Sequence, residues 1–113
     1  MFSGQDLFEE RDRIRRRLET SLKRAYDNGI EMAEKTMLYR IALREEVLRL
    51  RTGGMAISIV EKIAKGAETV AKAEFDMIVA EVKYKASNEN IMAQKKLYES
   101  IEADIKREYY KGE

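Results

Sequence analysis

Apolar and small residues recur through the first half of the chain at Leu7, Ile14, Leu18, Leu22, Ala25, Gly29, Met32, Thr36, Tyr39, Leu43, Val47 and Leu50. Their steps of three, four or seven average close to 3.6 and mark one face of an α-helix. Ser3-Gly4-Gln5-Asp6 places a hydroxyl and, three residues on, a carboxylate ahead of that pattern, as in a capping box. Asn28-Gly29 signals a hairpin turn only between strands, and helical spacing flanks it here, so the helix is expected to run through. Gly29 then costs about 1 kcal/mol relative to alanine and allows a bend or a close helix approach. The predicted helix covers about residues 4–51, on the order of 70 Å.

Thr52-Gly53-Gly54 ends it, because paired glycines supply a left-handed C-cap and the freedom to reverse. After an elbow at 52–57, Ser58-Ile59-Val60-Glu61 reads as a second capping box. It opens a short amphipathic helix over 58–65 (Ile59, Val60, Ile63, Ala64) that Gly66 closes, expected to lid one end of a bundle. Helical spacing returns over about 67–109 at Phe75, Val79, Val82, Ala86, Ala93, Leu97, Ile101, Ile105 and Tyr109, flanked by Ile78, Ile91 and Tyr98. Asn90 interrupts this stripe, where a polar residue either sets register or sits at a wet edge.

The predicted fold class is all-α, with residues 1–113 as a single helical domain. Two long arms around a short elbow make an antiparallel helical hairpin with a short intervening helix. Between residues 30 and 50 a second apolar row, Ile30, Ala33, Met37, Ile41 and Leu48, is offset from the first. One partner helix does not cover both rows, so a homodimer forming a four-helix bundle is the expected completion.

Composition narrows the chemistry. Hydrophobic residues make up 44% of the chain and charged residues 38%, with no proline, which suits long helices. With no cysteine and no histidine, disulfides, thiolate or imidazole metal sites and histidine general bases are excluded. The acidic pairs Glu9/Glu10, Glu31/Glu34 and Glu45/Glu46 read as solvated surface, since the Glu-x-x-His element of di-iron bundles requires histidine. Met32, Met37, Met55, Met77 and Met92 read as filling gaps in the core, while any that are exposed suit an adaptable partner groove. No cofactor, metal or small-molecule substrate is expected. The opening MFSGQDLFEERD lacks a signal-peptide pattern, and no apolar run approaches the roughly 20 residues of a membrane span, so a soluble cytoplasmic protein is expected.

Residues 11–24, RDRIRRRLETSLKR, hold seven basic residues against two acids, although the whole chain carries only +1. At about 100° per residue from Ile14, Arg13, Arg17 and Arg24 fall on one flank, Arg16 and Lys23 point away from the core, and Arg11 and Arg15 take the other flank. The basic residues thus ring the helix, and an antiparallel hairpin puts Glu99, Glu102, Asp104 and Glu108 opposite them. A solvated, partly ion-paired face is the preferred reading, with phosphate contact second. Residues 59–75 give only a poorly spaced helix-turn-helix pattern. In length, long first helix and arginine content the chain resembles all-helical chorismate mutases. Their spaced Arg/Lys/Glu/Gln set is not matched, and arginines ringing a helix are not expected to converge on one pocket.

LREEVLRLRTGGM, followed by KIAKG and VAKAEFDMIVAEVKYKA, resembles small helical proteins among the early genes of phages and prophages of Gram-positive bacteria, over roughly residues 43–86. Ala56 stands where some of those carry proline after the elbow methionine, which implies a looser elbow. The resemblance implies a protein that acts by binding, beside replication or recombination machinery or against a host enzyme or defence complex, in the bacterial cytoplasm.

The expected function is therefore that of a non-enzymatic helical interaction protein with a protein partner. Its expected self-association or partner surface comprises Ile30, Ala33, Met37, Ile41, Leu48, Met55, Ile59 and Ile63. Two alternatives stand beside it. One is a nucleic-acid accessory protein with Arg13, Arg16, Arg17, Lys23 and Arg24 as phosphate contacts; the other is inhibition of a host nuclease.

Overall fold

The computed structural model describes residues 4–110 and is all-α. Helix α1 runs Gly4–Thr52, α2 Ile57–Lys65 and α3 Glu68–Tyr109, with no strand among the described residues. The two long helices flank the short one as a helical hairpin. The chain forms two compact units, one made of residues up to Tyr26 with those from Lys85 onward, the other of Asp27–Tyr84. Ser3, which opens the first expected capping box, lies outside the described residues.

In the first unit α1 and α3 run antiparallel, because Arg11 meets Glu102 and Ser21, further along α1, meets Asn90, further back on α3. Its apolar core joins Leu7, Ile14, Ile101 and Ile105, with Phe8 and Tyr98 packed against it. Each such side chain contributes about 1.5–3 kcal/mol on burial. The Phe8 and Tyr109 rings lie 5.1 Å apart at a tilted angle, and the Arg11 guanidinium sits over the Phe8 ring. Away from this cluster the buried positions become small, namely Ser21, Ala25 and Ser87. Small side chains let helix backbones approach closely. Ser21 takes the buried place that periodicity assigned to Leu22, which is 47% exposed.

In the second unit the same antiparallel order holds, with Lys83 Nζ 2.7 Å from Glu31 and the Tyr39 hydroxyl donating to the Glu74 carboxylate. The fully buried Val70 and Ala64, with Val60 and Ala80, mark where α2 and the start of α3 bury their inner faces. Gly29 lies inside the unbroken α1, and a Cβ there would stand 3.2 Å from the Tyr84 ring. Its missing side chain is what the tyrosine occupies.

The turn after α1 is a Schellman motif, with Met55 N–H donating to Leu50 C=O and Gly54 N–H to Arg51 C=O. Gly54 carries the positive φ, +94°. Arg51 also closes the elbow by donating to the Met55 carbonyl at 2.7 Å. The second expected capping box is corrected. The N-cap of α2 is Ala56 in extended conformation, with no side-chain hydrogen bond, so Ser58 already sits within the helix. Gly66 does close α2, but in right-handed geometry.

The stripe expected to bury α3 is also corrected. Phe75, Val79, Val82, Ala86, Ala93, Leu97 and Tyr109 are exposed, as is the flanking Ile78, and of the expected stripe Ile101 and Ile105 are buried, on one line with Val70, Ala80 and Ser87. Met77, Tyr84, Ile91, Gln94 and Tyr98 are half-buried on the same line. In its first half this helix carries apolar residues on two nearly opposite faces, and α1 packs on the one that holds Ala80 and Tyr84.

Candidate functional site

Two surface features stand out, one in each unit. In the first unit Arg13, Arg16, Arg17, Thr20, Ser21 and Arg24 of α1 and Asn90 and Gln94 of α3 line a groove of about 390 Å³. Helical spacing of three and four stacks the arginines on successive turns of one flank. Arg13, Arg17 and Arg24 thus lie where the helical pattern puts them. Arg16, expected to point away, leans into the same groove, so the arginines do converge. Lys23 is exposed and does not line it.

The charges around this groove are answered unevenly. Arg11 reaches Glu102 across the hairpin at 3.1 Å, and Arg15 pairs with Asp12 at 3.2 Å along α1. Arg13 pairs with Glu10. Among the described residues Arg16, Arg17 and Arg24 form no ion pair. Of the four acids expected opposite, only Glu102 meets a basic residue of α1, and Asp104 instead pairs with Arg107 on its own helix.

The floor of the groove is polar. Ser21, only 8% exposed, donates its hydroxyl to Asn90 Oδ1 at 2.9 Å. Gln94 Oε1 is buried and accepts no hydrogen bond. The pattern that hid these residues is that Ser21, Asn90 and Gln94 are polar positions on the line of contact, where only Asn90 broke an otherwise apolar stripe.

The second feature is apolar. Of the expected partner surface, Ile30, Met37 and Leu48 on α1 and Ile59 and Ile63 on α2 are 43–59% exposed. Ala33 is exposed, and Ile41 and Met55 are half-buried. Met32, Ala33, Met37 and Ile41, with Thr36, Arg40 and Arg44, line a groove of about 530 Å³ along α1. The reading of the α3 stripe as core missed that Phe75, Ile78, Val79 and Val82 add a second exposed apolar face, and Ile57 is 76% exposed.

Elsewhere in the second unit, burial and then the hydrogen bond to the Glu74 carboxylate raise the Tyr39 phenol above its ordinary value, with Glu61 and Lys65 of α2 acting in opposite directions. Among the described residues no group of three acidic side chains converges as a metal site, and no helix is long and apolar enough to cross a membrane. Compared with protein-family models, curated proteins and solved structures, the chain matches none.

Proposed function

We propose that this chain is a non-enzymatic helical interaction protein that binds a protein partner and pairs with a second copy of itself through the second unit. The observation that carries the reading is the uncovered apolar surface of α1, α2 and α3 there, where Ile30, Met37, Leu48, Ile57, Ile59, Ile63, Phe75, Ile78, Val79 and Val82 are 41–76% exposed. Exposed apolar rows of this kind mark association sites in soluble proteins. The helix row on α1 suits a facing helix, and a second hairpin supplies one. The α2 face and the exposed α3 stripe are then left for another protein.

The resemblance of residues 43–86 to phage early-region proteins supports a partner from replication, recombination, a host enzyme or a defence complex in the bacterial cytoplasm. Light scattering tests the first step. A mass of twice 13.2 kDa is expected, falling to the single-chain mass with helicity retained when Met37 and Leu48 are both changed to Glu. A wild-type mass of one chain would overturn the pairing.

A further inference from the structure

We propose that the arginine groove of the first unit binds the phosphodiester backbone of a nucleic acid. The proposal is independent of the protein-partner reading, because it rests on other residues in the other unit.

Four observations converge on it. All four cations of the groove are arginine, whose planar fork donates two parallel hydrogen bonds to a phosphate. Three of the four groove arginines are left unanswered. Arg13 pairs with Glu10, as Arg11 and Arg15 outside the groove pair with Glu102 and Asp12, whereas Arg16, Arg17 and Arg24 have no carboxylate partner among the described residues. Like charges held on adjacent turns repel one another, and an anion in the groove relieves that repulsion.

The length of the array indicates an extended ligand. From Arg13 to Arg24 the groove follows about 16 Å of helix, enough for several consecutive phosphates and too long for one. Finally, the floor of the groove is polar rather than apolar, with Gln94 Oε1 buried beside the Ser21 to Asn90 hydrogen bond, which suits a hydrated sugar-phosphate chain. No aromatic side chain lines the groove, so recognition runs along the backbone and is indifferent to base sequence.

The test is fluorescence anisotropy of the full chain with a labelled single-stranded oligonucleotide and the matching duplex. Three or four arginine to phosphate contacts predict that single-strand affinity falls on the order of 20- to 50-fold between about 50 and 200 mM salt, and more steeply for duplex. Changing Arg16, Arg17 and Arg24 to Glu, all exposed and helix-compatible, is expected to abolish binding with helicity unchanged. Changing the exposed Lys95, Lys96 and Lys106 to Glu alters net charge equally outside the groove and is expected to retain most of it. Gln94→Met is expected to raise the melting temperature, because it removes the orphaned buried acceptor. Absence of binding at the lower salt would overturn the proposal. So would equal loss in the two triple variants, or competition by polyglutamate as strong as by unlabelled oligonucleotide, which would make the groove a site for an acidic protein. Full occupancy by a mononucleotide at oligonucleotide affinity would overturn the extended backbone.

Discussion

Ser21 and Asn90, one on each long helix, are joined by a hydrogen bond of 2.9 Å from the serine hydroxyl to the asparagine side-chain oxygen. A slip of either helix by one residue would break it, so this pair adds to the register that the apolar core of Leu7, Ile14, Ile101 and Ile105 sets in the first unit. Asn90→Ala is expected to cost about 1–2 kcal/mol, because Ser21 is left buried and unpaired, while the double change to alanine costs less than the sum. A double-mutant cycle by denaturant unfolding checks this, with a coupling of about 1 kcal/mol expected.

Gly29 and Tyr84 make the corresponding contact in the second unit. Gly29→Ala is expected to be close to neutral, since a gain of about 1 kcal/mol in helix propensity is offset by the shift its Cβ forces on the ring 3.2 Å away. Gly29→Leu is expected to destabilise by about 1–3 kcal/mol, and adding Tyr84→Ala to recover part of that loss. Thermal unfolding followed by circular dichroism reads both.

The two glycines of the elbow should behave differently. Gly54 has a φ of +94° and faces open space, so Gly54→Ala is expected to cost about 1–2 kcal/mol from backbone conformation alone. Gly53 has no positive φ, and Gly53→Ala is expected to change stability by less than about 0.5 kcal/mol. Denaturation midpoints of the two variants make the comparison.

Alkaline pH probes Tyr39. Its folded-state value is raised by burial and by the Glu74 carboxylate, so the neutral phenol is favoured in the folded chain. The stability this provides is fully present below the unfolded tyrosine value of about 10 and is lost as pH rises through the raised folded value. The stability of wild type relative to Tyr39→Phe is therefore expected to be constant from neutral pH to about 10 and to decline above it. A flat difference to higher pH would contradict the assignment.

How far the site was legible follows from the same residues. The flank of Arg13, Arg17 and Arg24 was readable, because 100° per residue places side chains on a single helix without knowledge of any neighbour. The groove was not, because it exists only where Asn90 and Gln94 of α3 come beside that flank. Leu22 and Ser21 are adjacent in sequence, and hydrophobicity favoured the leucine. Contact favoured the serine, which had a partner in Asn90 and left room for a close approach.

By itself the sequence determined the local outcomes. The helical period made α1 and α3, and Gly53-Gly54 stopped α1, because these depend on dihedral preference and spacing within a few residues. Only the tertiary structure decided which of the two apolar stripes of α3 meets α1. Both stripes are compatible with the same helix, and the choice lies in the fit of Ser87 and Ala80, with Tyr84 over Gly29, against side chains far away in the chain. That choice leaves Phe75, Val79 and Val82 exposed and brings Asn90 and Gln94 to the arginines.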